Sequence, residues 1–385
     1  MEPNIIQFGS PTQVTLEVTN RCNIQCKYCL IGDFQKKSLS VLSYEEFKRL
    51  ISDLSDLGVF TIDFSGGEPF LRSDLLNLLK YARTLNISVK VTTNGTILRH
   101  NIIDSLIDIV DVIQISIDGS AQNIHNTTRG GELERIIKSA ELIGETGIKL
   151  QIGTVACQSN FGNIPKIIEL AEILGASSFN LMDLQIAGWG MDIWSVQALR
   201  PKQWKDLIEF FLLNPQRKNK INLKIGYRFL HLLFDKKFLA HLFKNFKSIF
   251  PGCPCGRDRC TITSDGNVLP CDLARSLSVG NIKNTSFRQL WQCIKEKILL
   301  IRDSNTPLGC EGCEYLTICE GGCMAVSYNI FGRLDIADPR CPIAASMHLH
   351  YDQLRSAFEK RLKIPLRQYL NSFWGDISYG LESTS

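Results

Sequence analysis

From residue 14 to about 182 the chain alternates two kinds of segment. In short ones every second residue is apolar, or the whole run is; in longer ones apolar residues recur every three or four positions. Period two marks strands and a period near 3.6 marks helices. The short segments predict strands at Val14–Thr19, Phe60–Phe64, Ser88–Thr92, Val112–Ile117, Lys149–Val155 and Ser178–Met182. The longer ones predict helices at Ser43–Leu57, Ser73–Leu85, Asn101–Ile109, Glu132–Thr146 and Asn163–Leu174, with Ser43 and Ser73 as N-caps. Strands that alternate with helices in this way build βαβ units on a parallel sheet, an α/β fold whose ligands bind at the carboxyl ends of the strands. Beyond it, Pro201-Lys-Gln-Trp opens a further helix. The aromatic and basic stretch 229–250 reads as an amphipathic helix pair packed over the α/β body.

Composition narrows the class. With 385 residues, 44% of them hydrophobic, the chain has room for a catalytic domain and a smaller second one. A net charge of +4, from 43 basic and 39 acidic residues, is too mild for a nucleic-acid face. No apolar run is long enough to span a membrane, and Met1-Glu-Pro-Asn-Ile-Ile-Gln lacks the features of a signal peptide. A cytoplasmic location is therefore expected. The 14 cysteines then read as metal ligands in a reducing compartment rather than as a disulfide scaffold.

Cys22, Cys26 and Cys29 lie just after the first strand, spaced C-x3-C-x2-C. Three thiolates are one fewer than a four-iron cluster takes, which leaves one iron open to a small molecule. Zinc fits the spacing less well, since its sites favour paired C-x2-C units and four ligands. Ser65-Gly66-Gly67-Glu68-Pro69 follows the second strand, and its glycines permit close backbone approach to a ligand. Thr93-Asn94-Gly95 follows the third strand and Ser116-Ile117-Asp118-Gly119 the fourth; Ile124 to Gly130, with His125 and Arg129, precedes the next helix. Singly these are ordinary turns, with His125 a loop hydrogen-bonder. Together they occupy the ends of consecutive strands.

This constellation resembles the radical S-adenosylmethionine (SAM) superfamily. The resemblance implies a partial (β/α)6 TIM-like barrel and a [4Fe–4S] cluster on Cys22, Cys26 and Cys29. It also implies SAM held by the Gly66-Gly67-Glu68 turn, with Asn94 beside it and Tyr28 packed near cluster and adenine. Ser116 and Asp118 would meet the ribose, and Arg129 would pair with the methionyl carboxylate through its planar fork.

A second set of cysteines, Cys310, Cys313, Cys319, Cys323 and Cys341, follows an upstream part with Cys253, Cys255, Cys260 and Cys271. It resembles the SPASM domain of peptide-modifying members, a small C-terminal iron–sulfur domain. That implies two auxiliary [4Fe–4S] clusters. Cys271, Cys323 and two of Cys253, Cys255 and Cys260 would hold the first; Cys310, Cys313, Cys319 and Cys341 would hold the second. Ligands one residue apart at Cys253 and Cys255 would be cramped, so Cys253 with Cys260 is preferred and the other pairs stay open. Cys157 and Cys293 read as buried apolar residues. Asp272 resembles the aspartate that acts as base in anaerobic sulfatase-maturating enzymes.

The expected organisation is a barrel core over 1–185, a bridging region over 186–250, a SPASM domain over 251–345, and a C-terminal helix and tail over 346–385. The expected activity is reductive cleavage of SAM, followed by hydrogen abstraction from a ribosomally made peptide or protein. The alternatives are formylglycine maturation of sulfatases and oxidation of a tetrapyrrole or other small molecule; a non-catalytic cluster carrier fits the SAM motifs poorly. The cluster loop begins too early for a fused leader-recognition domain to precede it. Expected partners are thus a separate recognition protein and a flavodoxin- or ferredoxin-type electron donor.

Overall fold

Six parallel strands run in chain order through one sheet in a computed structural model, which describes residues 9–35, 40–212, 221–235, 237–239, 253–348 and 350–375. They are β1 (Gln13–Thr19), β2 (Thr61–Gly66), β3 (Ser88–Thr93), β4 (Val112–Ser116), β5 (Lys149–Ala156) and β6 (Ser178–Asp183). Each pairs in parallel with the next. Helices Tyr44–Asp56, Leu75–Thr84, Leu133–Gly144 and Ile164–Ile173 occupy the crossovers, with Phe47, Ile51, Phe64 and Phe179 fully buried. Each such side chain contributes about 1.5–3 kcal/mol by leaving water.

The N-cap at Ser43 forms as expected. Its hydroxyl accepts from the Glu46 N–H, and the Glu46 carboxylate accepts from the Ser43 N–H at 2.7 Å. Ser73 does not cap; the helix starts one residue later, after Asp74, with no side-chain cap. The helix expected over Asn101–Ile109 is only His100–Asp104. Turns follow it, and Asp108 at φ 64° takes a left-handed conformation that a helix cannot include.

Four further strands were not legible as such. β7 (Asn222–Gly226) extends the sheet beyond β6. β8 (Arg259–Ile262) pairs in parallel with β1, setting Cys260 opposite Val14. β9 (Asn267–Leu269) and β10 (Gly280–Asn281) continue antiparallel. The order β10-β9-β8-β1-β2-β3-β4-β5-β6-β7 leaves an open, partial barrel. The cysteine-rich segment is therefore joined to the barrel edge through β8. Of the stretch 229–250, residues 236 and 240–250 lie outside the described residues. Phe229 is buried, and Leu230–Leu232 forms one short helical turn. Helices Asp352–Leu362 and Leu366–Tyr369 close the far side, where Phe373 stacks on Trp194 at 5.2 Å.

Candidate active site

The end of β1 runs into the Cys22 loop, and the end of β2 lies directly against it. The Gly67 N–H donates to the Thr19 carbonyl and the Glu68 N–H to the Arg21 carbonyl, both at 2.8 Å. A Cβ on Gly66, at φ 134°, would sit 2.2 Å from the Thr19 oxygen; one on Gly67 would sit 2.1 Å from that of Arg21. These glycines permit one backbone to lie on another, beyond any approach to a ligand.

Glu68 is fully buried and does not line the cleft. Its carboxylate accepts from the Thr93 hydroxyl at 2.7 Å and the Asn94 N–H at 2.9 Å, while burial pushes its pKa up to about 7. Its place is behind the Gly66-Gly67 turn, bracing β3. Asn94 in turn donates to Asn23 at 2.9 Å and stands 3.9 Å from the Cys22 sulfur.

Asp118 is likewise enclosed rather than exposed to the cleft. It accepts from the Tyr28 hydroxyl, from Thr128 at 3.1 Å, from the Arg129 Nε at 3.3 Å and from the Val155 N–H at 3.0 Å. The Arg129 guanidinium stands 5.4 Å over the Tyr28 ring. Asp118 therefore aims Tyr28 and Arg129 from behind. His125 serves its loop: Nδ1 accepts from the Asp118 N–H at 3.3 Å and Nε2 lies 3.2 Å from the Gly130 carbonyl.

These groups surround a cleft of about 460 Å³ at the carboxyl ends of the strands. Its walls include the three loop cysteines, Gly66 and Gly67, with Asn94, Ser116 and Arg129. Burial pushes the Cys26 thiol up to about 12 and raises Cys22 and Cys29. Ionisation of these thiols thus needs the compensation that a bound metal supplies. Asp272 also reaches the cleft and is open to its interior. Desolvation by the surrounding protein raises its pKa, with Arg275 opposing and Glu17 adding to the rise.

Among the lining residues that sequence reasoning missed are Glu17, Asp183, Gln185 and Arg275. The strand-end rule points to Asp183, the last residue of β6. Nothing in the sequence shows that Arg275 reaches back to donate to both carboxylate oxygens of Glu17 on β1.

The remaining cysteines fall into two groups. Cys255 hydrogen-bonds with Cys253 and Cys271, and Cys323 feels the charge of Cys253. Cys260 is apart from them. It is buried on β8, and burial raises its pKa. The β8–β1 register places Cys260 in the sheet, opposite Val14, whereas Cys253 lies with Cys255. The second group is Cys310, Cys313, Cys319 and Cys341, whose charges act on one another. Cys157 is fully buried as expected, whereas Cys293 is only partly so. Among the described residues, no three His, Cys, Asp or Glu converge on a point suited to one ion. No helix among the described residues is long and apolar enough to cross a membrane.

An open parallel α/β sheet with a three-cysteine loop at its first strand end, extended by further cysteine groups, defines an iron–sulfur enzyme of the SAM-using class. Residues 16–171 match the radical SAM superfamily and residues 253–314 the SPASM iron–sulfur cluster-binding domain. The mycofactocin maturase of Mycolicibacterium smegmatis is 30% identical over 87% of this chain and 83% of its own. The AdoMet-dependent heme synthase of Oleidesulfovibrio alaskensis is 28% identical over 88% and 89%. The crystal structure of Streptococcus suis SuiB bound to precursor peptide SuiA superposes with a TM-score of 0.68 at 18% identity, covering 86% of this chain and 76% of that one. The chain belongs to the radical SAM superfamily and carries a SPASM domain; it is a radical SAM enzyme with SAM and iron–sulfur clusters as cofactors.

Proposed function

We propose that this enzyme modifies a ribosomally made peptide or protein by abstracting hydrogen from one of its carbons. The observation that carries the reading is the match of residues 253–314 to the SPASM domain, in a chain 30% identical to a mycofactocin maturase. When bound, the first cluster and SAM supply a 5′-deoxyadenosyl radical in that cleft. Cys22, Cys26 and Cys29 hold that cluster. The Gly66-Gly67 backbone, Ser116 and Arg129 hold SAM, with Arg129 gripping its carboxylate. Asn94 and Tyr28 border the two, and Glu68 and Asp118 keep the binding groups in register. Asp272 takes the proton released when the product is oxidised. Two auxiliary clusters are assigned, the first to Cys253, Cys255, Cys271 and Cys323, the second to Cys310, Cys313, Cys319 and Cys341. A cytoplasmic setting suits these thiolates. A flavodoxin- or ferredoxin-type donor would supply electrons.

Two other readings have support of their own. Asp272 suits formylglycine maturation of a sulfatase, and the heme-synthase relative suits tetrapyrrole oxidation. The deciding experiment offers the reconstituted enzyme three substrates: the small peptide encoded nearest its gene, a sulfatase-derived peptide and a carboxylated tetrapyrrole. Turnover of the neighbouring peptide, read by mass, is expected; turnover of the tetrapyrrole alone would overturn the reading.

Two substitutions test the roles given to single residues. Asp272→Asn should leave 5′-deoxyadenosine formation intact while stopping product, and unchanged product formation removes Asp272 as base. Cys255→Ala should cost about four irons per chain, the content of one cluster. Cys260→Ala should cost none, and the opposite result would restore Cys260 as a ligand.

A further inference from the structure

One buried guanidinium joins the wall of the cleft to the cysteine-rich domain. Arg340 is 3% exposed and spreads its donors over two carboxylates. Its Nε and Nη2 grip Asp338 at 3.1 and 2.8 Å, and its backbone N–H adds a third bond at 3.0 Å. Its Nη1 points the other way, to Asp183 at 3.1 Å and Gln185 at 3.3 Å, both on the cleft. Asp338, fully buried, also accepts the backbone N–H of Cys323 at 2.9 Å. The bracket is fixed from behind, where the Tyr369 hydroxyl and the Trp374 indole N–H both donate to the Arg340 carbonyl, at 2.7 and 3.1 Å. The Arg340 guanidinium also lies 5.5 Å over the Phe229 ring.

An unbroken run of hydrogen bonds therefore leads from Asp183 through Arg340 and Asp338 to the peptide N–H of Cys323. We propose that Arg340 is a positioning residue that couples the occupancy of the cleft at Asp183 and Gln185 to the environment of the Cys323 loop. The inference rests on Cys323 being an auxiliary-cluster ligand. The group seated on this pair is a hydrogen-bond donor, a peptide amide or an ammonium. A donor competing for Asp183 loosens the Nη1 contact and is felt at Asp338, because the planar fork moves as one body. Lysine, with a single point of charge, cannot hold both carboxylates in this geometry. Hydrogen bonds around ligand cysteines tune a cluster, so the coupling has a spectroscopic signature.

The test uses full-length enzyme in which Cys22, Cys26 and Cys29 are alanine, reconstituted anaerobically so that only auxiliary clusters report. Electron paramagnetic resonance spectra and midpoint potentials are compared for this parent, Asp183→Asn, Arg340→Lys and the double variant. Asp183→Asn should move the auxiliary signal and shift the potential to a more positive value. In the Arg340→Lys background the same change should add nothing, the non-additivity expected of residues in one network. A parent-like spectrum in Asp183→Asn, or shifts that simply add, would overturn the coupling. If Arg340→Lys loses iron, Asp183→Asn alone still decides. A parent with no auxiliary signal would instead remove the ligand assignment, and the inference with it.

Discussion

Enzyme with Cys22, Cys26 and Cys29 all replaced by alanine is expected to form no 5′-deoxyadenosine above background, yet to fold and keep its other clusters. Iron content should fall from about twelve per chain to about eight, the loss of one four-iron cluster out of three. The fold should survive because backbone hydrogen bonds hold the loop on both sides. The Lys27 N–H donates to the Thr128 carbonyl at 2.7 Å, and the Gly67 and Glu68 N–H groups hold Thr19 and Arg21. Burial keeps these thiols neutral in the absence of metal, so alanine removes no charge from the resting loop. Iron counting, circular dichroism and a SAM-cleavage assay read the three parts separately. A wild type holding only about four irons would refute both auxiliary assignments, and a variant that still cleaved SAM would refute the first.

The parts of this fold that were legible from sequence are those governed by local patterning. Each of the six core strands spans enough alternation to show its period, and Ser43 with Glu46 announces a helix start through a contact three residues long. β8 is only four residues long and its partner, β1, lies far away in the chain, while β7 buries only Ile225 and so shows little apolar pattern. The β8 register is also what separated Cys260 from the other cysteines. A spacing rule counts residues along the chain, whereas Cys260 and Val14 meet across a sheet.

The site divides in the same way. Motifs at strand ends announced the cleft, but the division of labour inside each motif was hidden. Glu68 and Asp118 carry charges that a sequence reading assigns to a ligand, and the fold spends them on Thr93, Asn94, Tyr28 and Arg129. The Asp183–Arg340 contact spans 157 positions and had no local signal.

Gly67→Ala should be nearly as damaging as loss of the three cysteines, although it adds only one methyl group. The new Cβ would lie 2.1 Å from the Arg21 carbonyl oxygen, 2.5 Å from its carbon and 2.9 Å from the Asn20 oxygen. Carbon contacts settle at about 3.5–4.0 Å, so the two backbones must part by more than about 1 Å. No side chain can give way, since every atom named is main chain. The separation breaks the bonds from Gly67 to Thr19 and from Glu68 to Arg21, each worth about 1 kcal/mol. It also carries Cys22, the next residue after Arg21, out of place. A misplacement of about 1 Å at a reacting centre costs on the order of 10²-fold in rate, so SAM cleavage should fall by at least about that factor. Gly162→Ala is the control, since its added Cβ meets nothing within 4 Å and its backbone is ordinary. It should stay within about 0.5 kcal/mol of wild type in stability. Auxiliary-cluster spectra should be unchanged in both variants, which separates a displaced loop from a failed fold. If Gly67→Ala cleaved SAM at the wild-type rate, the close packing of the β2 turn on the cysteine loop would not be what positions the first cluster.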